Sequence, residues 1–307
     1  VTRSTALVVG ALLASCAGCD GERIVLGGAP AASDAATPAV SFGAPELVTE
    51  LAASGADDEK PTLTADGLEL YFLSTRSGGP GSGDVWRSTR AATSAAWGTP
   101  ELVAEVSTSS QEKSPAVSAD GLTLWVASDR SGGKGGLDIW ISTRPDRSSA
   151  WSTPVPVPTL NSSGDEIPRP TGQRQLVMPL AVRPSSGSGE YQTDFASRDA
   201  VDGAWTAPVA RPDLDTANTD VDGFLLDDGL TLYFSSDRVK KGDQDLFIAT
   251  RVDVDASFTG FEAISALNSS SDDRDPWLSP DGSELYFSSS RTGNLKIYRA
   301  TRVATNP

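Results

Sequence analysis

Histidine is absent from the 307 residues, and cysteine occurs only at Cys16 and Cys19. Beyond Cys19 the chain has neither residue. This excludes Ser-His-Asp and Cys-His catalysis, histidine proton shuttles and zinc sites of the usual Cys/His kind. Any reaction would rest on carboxylates, lysine, tyrosine or serine. Positive charge is also scarce: 25 Lys and Arg stand against 41 Asp and Glu, a net charge of −16. A surface this acidic repels a phosphate backbone, so nucleic acid is not an expected partner. Glycine and proline are plentiful, at 29 and 20 residues. They favour many turns and short strands over long helices.

The first forty residues read as an address. Behind Arg3, the apolar run Ala6 to Ala14 is too short to span a bilayer as a permanent helix. Leu13-Ala14-Ser15-Cys16 follows and resembles a bacterial lipobox, which implies cleavage before Cys16 and lipid attachment to its thiol. Cys19 offers a weaker second cleavage site or, with Cys16, a CxxC pair. Residues 1–16 are therefore expected to be a lipoprotein signal peptide and residues 17–40, rich in Ala, Gly, Pro and Asp, a flexible tether. Residues 41–307 are expected to form the folded domain. The expected location is the cell envelope, in a Gram-negative periplasm or outer membrane.

The domain is one unit written five times. A stretch opening on an aromatic residue begins at Phe42, Trp97, Trp151, Trp205 and Phe258, at intervals of 55, 54, 54 and 53 residues. Between these stretches come a short apolar strand and an Asp-Gly turn, at Asp66-Gly67, Asp120-Gly121, Asp228-Gly229 and Asp281-Gly282. Asp-Gly between β-rich runs suits a type I′ hairpin, with positive φ at both central residues. A second strand (LELYFLSTR, LTLWVASDR, LTLYFSSDR, SELYFSSSR), a Gly/Ser/Lys loop and a third strand (DVWRSTR, DIWISTR, DLFIATR, KIYRATR) follow. The aromatic-opened stretch then reads as the fourth. Four antiparallel strands repeated in this way predict an all-β fold, a five-bladed β-propeller. The last copy stops after its third strand, so Phe42 to Leu51 is expected to supply the outer strand of the final blade and close the ring.

Ser279-Pro280-Asp281-Gly282, followed by an apolar strand and Ser290-Arg291, resembles the repeat of the TolB-type, WD40-like β-propeller family. Asp129-Arg130 with Asp138, and Asp237-Arg238 with Asp245, fit the same pattern. The resemblance spans residues 42–302. It departs in the third copy, where Gly172-Gln173 replaces Asp-Gly, and in number, since TolB itself has six blades. It implies a rigid extracytoplasmic platform for proteins or ligands and fixes no partner. The expected partners are envelope proteins or peptides, with glycans as a second class, bound by a monomer.

Several constellations are candidates for a site. Asp58, Glu112, Asp165, Asp220 and Asp273 recur once per copy ahead of the inner strand. They are expected either to ring the channel mouth or to accept backbone amides of a neighbouring blade. Arg76, Arg130, Arg183, Arg238 and Arg291 end the second strands, where Asp84, Asp138 and Asp245 across the hairpin are their expected partners. Asn218, Asp220 and Asp222 approach a calcium-loop pattern, so calcium is the one cofactor considered. Five tryptophans, Trp86, Trp97, Trp140, Trp151 and Trp205, hold repeated positions and are expected to pack between blades. Phe224 and Trp277 lie on inner strands and are candidates to face a ligand in the channel. Three functional readings follow: a non-catalytic platform, a glycoside hydrolase using paired carboxylates, and a calcium-dependent glycan binder. A catalytic pair would be peculiar to certain blades, whereas the acid series recurs in all five.

Overall fold

The computed structural model describes residues 41–185, 189–240 and 242–303. The leader, Cys16 and Cys19, and the tether lie outside the described residues. Five four-stranded antiparallel sheets form the blades of a propeller, and no helix occurs among the described residues. Listed from axis to rim, blade 1 is Asp58–Leu63, Glu69–Ser74, Asp84–Thr89 and Glu101–Leu102. Blade 2 is Glu112–Val117, Thr123–Ser128, Asp138–Thr143 and Val155–Pro156, and blade 3 is Asp165–Pro168, Val177–Arg183, Gln192–Ser197 and Val209–Ala210. Blade 4 is Asp220–Leu225, Thr231–Ser236, Asp245–Thr250 and Thr259–Ala263. Blade 5 is Asp273–Leu278, Glu284–Ser289 and Lys296–Thr301, completed by Glu46–Leu47 from the other end of the domain.

Each inner strand packs on the second strand of the preceding blade, and the inner strand of blade 1 packs on blade 5, so the ring is closed. The seam bears out the expected closure. Glu46 pairs Arg299 and Leu47 pairs Tyr298, Phe42 bridges Arg302, and the Gly43 and Val48 amides donate to Thr301 and Ile297. Phe42 and Leu51 are buried there.

Two expectations of local geometry are corrected. In the Asp-Gly turns only the glycine has positive φ: 67° at Gly67, 76° at Gly121, 69° at Gly229 and 69° at Gly282. The Gly67 amide closes a turn on Thr64, and Asp66 Oδ1 accepts the Leu68 amide. The loop is therefore a type I turn followed by a left-handed glycine, which serves a longer hairpin than type I′ does. The aromatic-opened stretches are also mostly not strand, since only two to five residues of each pair with the blade.

Their leading aromatic is buried instead, in four of the five beneath an arginine from the end of the third strand. Arg90 lies 4.3 Å from the Trp97 ring, Arg144 4.4 Å from Trp151, Arg198 4.3 Å from Trp205 and Arg251 4.6 Å from Phe258. The same arginines donate through Nε to the carbonyls of Gly67, Gly121, Gln175 and Gly229. Trp151 meets Tyr71 of blade 1 edge-on at 6.0 Å, and Trp205 meets Trp125 of blade 2 at 6.3 Å, so these rings pack between blades.

Candidate functional site

The recurrent acids are placed by the connectors that lead into the inner strands. In four blades one carboxylate does two jobs. Asp58 Oδ2 accepts the Ala53 amide at 2.8 Å, while Oδ1 takes Arg76 at 2.5 Å. Glu112 holds the Thr108 amide and Arg130 at 2.9 and 3.0 Å. Asp220 holds the Thr216 amide and Arg238 at 2.6 and 2.7 Å, and Asp273 holds Ser269 and Arg291 at 2.5 Å each. All four carboxylates are fully buried. Amide acceptance is as expected in kind but not in source, since the donors lie four or five residues upstream in each acid's own connector rather than in a neighbouring blade, and carboxylates this buried form no open ring at a channel mouth. The expected pairing of the arginines with Asp84, Asp138 and Asp245 is corrected: the arginines turn inward to the first strand, and Asp84 and Asp138 cap their own loops through Gly81 and Gly135. Asp84 and Asp138 are buried as well, so the arginines are placed by their other partners: Arg76 donates to Ser74 Oγ and the Leu51 carbonyl, and Arg130 to Ser128 Oγ and the Val106 carbonyl, which hold them beside the first strand.

Blade 3 divides the two jobs. Asp165 pairs Arg183 and accepts from the Leu137 amide and the Tyr191 hydroxyl. Glu166 takes the connector instead, accepting the Ser162 amide and hydroxyl, and burial pushes its carboxyl up. Strand register explains the change. In blades 1, 2, 4 and 5 the inner strand carries a bulge, between Glu59 and Thr62, Lys113 and Ala116, Val221 and Phe224, and Arg274 and Trp277. The bulge residue is left-handed, with φ of 59° at Lys60, 48° at Ser114, 60° at Asp222 and 61° at Asp275. Blade 3 pairs without a break and lacks that extra residue.

The bulges build the axis. Lys60 Nζ of blade 1 lies 2.8 Å from Asp275 Oδ1 of blade 5 and 3.4 Å from Asp222 Oδ1 of blade 4. Arg169 of blade 3 fills the place of the missing bulge. Its Nη1 lies 2.9 Å from Ser114 Oγ, 3.4 Å from Asp275 and 3.5 Å from Asp222. Blades that are not neighbours can touch like this only where the inner strands converge. Beside this layer, Arg274 of blade 5 pairs Glu59 of blade 1 at 2.7 Å. Burial opposes charge on Lys60, yet Asp222 and Asp275 outweigh it and raise its pKa. Burial likewise opposes ionisation of Asp275, but Lys60, Arg169 and Arg274 hold it well below the usual carboxylate range.

These positions were missed in the sequence, apart from Asp222. A signal was present: the two residues after each acid vary from copy to copy, as Glu59-Lys60, Lys113-Ser114, Glu166-Ile167, Val221-Asp222 and Arg274-Asp275, between the recurrent acid and the recurrent second strand. Charged residues that vary inside an otherwise recurrent unit mark positions that serve something other than the repeat.

Two expected ligand sites are corrected. Asp220 is held by Arg238 and Asp222 by Lys60 and Arg169, so they face different cations rather than one calcium. The Asn218 carbonyl accepts from Gln192, and no group of three acidic ligands gathers among the described residues. Phe224 and Trp277 do not face an open channel. They are buried against each other, with ring centroids 6.1 Å apart, and Trp277 stands edge-on to Tyr286.

No protein-family model and no curated protein matches this sequence. Solved structures resemble it in fold. One is TolB from Acinetobacter baumannii, 13% identical with a TM-score of 0.50, covering 83% of this chain. The chain spans only 57% of the length of that TolB. Another is the catalytic domain of a GH62 α-L-arabinofuranosidase from Coprinopsis cinerea, 11% identical, TM-score 0.53, covering 86% of this chain and 96% of that one. The endo-arabinase from Bacteroides thetaiotaomicron is 13% identical, TM-score 0.53, covering 87% and 98%. At such identities the likeness establishes the propeller, a fold shared by a TolB and by hydrolases, and nothing of their chemistry.

Proposed function

We propose that the chain is an extracytoplasmic lipoprotein, anchored through Cys16, whose propeller is a non-catalytic binding platform. The observation that carries this reading is the state of the axial carboxylates. Hydrolysis by carboxylates alone needs one acid that keeps its proton near neutral pH and a second that is ionised and free. At the axis Asp275 and Asp222 are tied to Lys60 and Arg169, Glu59 is tied to Arg274, and Asp275 is pushed away from the range of a proton donor. Two carboxylates are pushed up to about 6, Asp194 and Asp215. Both lie off the axis, on the third strand of blade 3 and the connector after its outer strand, and Asp215 is committed to the Thr193 amide.

Incubating the full chain with chromogenic arabinofuranosides and arabinan tests the reading. No sugar release above background is expected. Turnover that disappears in Asp275→Asn would overturn it. The anchor is tested separately: Cys16→Ala protein is expected in the soluble fraction after membrane sedimentation, and continued membrane partition removes the lipoprotein part.

A further inference from the structure

We propose that the axial throat is a receptor for a single carboxylate group, an assignment that deepens the platform reading and rests on it. Arg169 carries the first argument. It is 1% exposed and satisfied only at Nη1, while Nε and Nη2 have no hydrogen-bond partner. Those two atoms present the parallel N–H pair with which a guanidinium grips a planar carboxylate. A buried guanidinium with that edge unpaired is an unusual expense for a fold that otherwise pairs its arginines blade by blade. The hydroxyl of Thr62 is unpartnered too, and it holds the same register in blade 1 as Arg169 does in blade 3: Thr62 pairs Tyr71, and the Arg169 amide donates to Pro179 in the equivalent place.

Charge carries the second argument. Across the throat, Lys60, Lys113, Arg169 and Arg274 face Glu59, Asp222 and Asp275. Four cations against three carboxylates leave one positive charge, in a chain whose net charge is −16. Lys113 is the surplus. It holds in blade 2 the place that Glu59 holds in blade 1 and Arg274 in blade 5, where those two pair. Among the described residues it makes no hydrogen bond or ion pair within 4 Å. Burial, with Lys60 and Arg274 near, lowers its pKa against the opposing pull of Glu59, which is paired to Arg274, and of Asp165, which is paired to Arg183. One monoanion balances the throat, whereas a phosphate dianion would overshoot it. Of the cations paired there, Arg274 is the most exposed, at 26% against 12% for Lys60 and 1% for Arg169, and a ligand would reach Arg169 by displacing the flexible ends of these long side chains.

The carboxylate can come from a peptide C-terminus or from a small free acid. Titration calorimetry of the full chain at constant ionic strength separates them. The probes are acetate, an N-acetylated tripeptide with a free C-terminus, the same tripeptide as its amide, and inorganic phosphate. Saturable binding of acetate and of the free-acid peptide is expected, with none of the amide and weaker binding of phosphate. Peptide affinity at least tenfold above acetate assigns the chain terminus, and equal affinities assign the small acid. Lys113→Met, which removes the charge and keeps the apolar stem, should weaken binding at least tenfold with the melting temperature measured alongside. Arg169→Lys, which keeps the charge and loses the fork, should do the same. The proposal is overturned if neither acid binds, if the amide or phosphate binds as well as the acids, or if Lys113→Met leaves affinity unchanged. A platform that still binds a protein elsewhere would then survive without this receptor.

Discussion

Blade 3 and the other four blades start from the same repeat and solve its electrostatics differently. Blades 1, 2, 4 and 5 keep the bulge, bury one acid completely and clamp it with an arginine from the second strand. Blade 3 lacks the bulge, so its acid pair slips by one residue toward the surface: Arg183 is 38% exposed, against 12% for Arg130. The vacancy at the axis is filled by Arg169. One missing residue thus moves an ion pair outward and puts a cation in the middle. Blade 3 departs at its third strand as well. Asp194 stands where the other blades have Trp86, Trp140, Phe247 and Tyr298. Asp215 stands where Asn161 and Asn268 each hold a third strand through both amide atoms.

The largest effect should come from the seam, because blade 5 is the one blade that borrows a strand. Deleting residues 41–52 removes the buried Phe42 and Leu51 and bares an edge. A loss of about 5 kcal/mol or more is expected in chemical denaturation, enough to unfold many domains. An unchanged midpoint would show that the ring does not depend on closure.

The next test sets the two kinds of acid pair against each other. Arg130→Met strands the buried Glu112, and the expected cost is about 3 kcal/mol, whereas Arg183→Met should cost under about 1 kcal/mol because that pair is wet and screened. Glu112 is already pushed up by burial, so its folded pKa lies above the unfolded value and its ionisation opposes folding. The Arg130→Met deficit should therefore be larger at about pH 8 than at about pH 5. Equal costs for the two variants would erase the distinction between the blades.

The smallest effect is a gain. Burial, with Asp220, Asp194 and Asp213 near, pushes Asp215 up to about 6, and burial with Glu166 does the same for Asp194. A carboxyl whose folded pKa is raised favours the folded state while protonated. That contribution fades as pH rises from the unfolded value through about 6. Asp215→Asn, which copies Asn161 and Asn268, should add about 1–2 kcal/mol at about pH 7.5 and nothing below about pH 4. A pH-independent difference would place the effect in packing rather than in the proton.

The propeller was legible because it is written redundantly. Five aromatics at even spacing and four Asp-Gly turns fix blade number and strand order, and the truncated final copy fixes the seam. The acid series was legible as positions but not as partners. Arg76 could reach Asp84 or Asp58, both of them buried, and the choice is made by Ser74 Oγ and the Leu51 carbonyl, which hold the guanidinium beside Asp58. The axis was least legible. Its side chains meet across separations that run from 55 residues, Arg169 to Ser114, to 215, Lys60 to Asp275, and a one-residue bulge at Lys60 or its absence in blade 3 leaves no mark in hydrophobic alternation. The calcium pattern misled for the same reason, since spacing along a strand says nothing of the bulge that sends Asp220 and Asp222 to different neighbours.

The seam also sets how the ring answers to tension. Ser41 and Val303 lie at the same end of the seam, where the Val303 amide donates to the Ser41 carbonyl at 2.9 Å. Pulling these two points apart does not load the seam bonds together. It opens them singly, from Val303 to Ser41, then Gly43 to Thr301, then Val48 to Ile297. The molecule resists such a pull as a zipper rather than as a lap joint. A pull on residue 41 against residue 303 would strip Glu46–Leu47 from Lys296–Thr301 before any other strand pair is loaded.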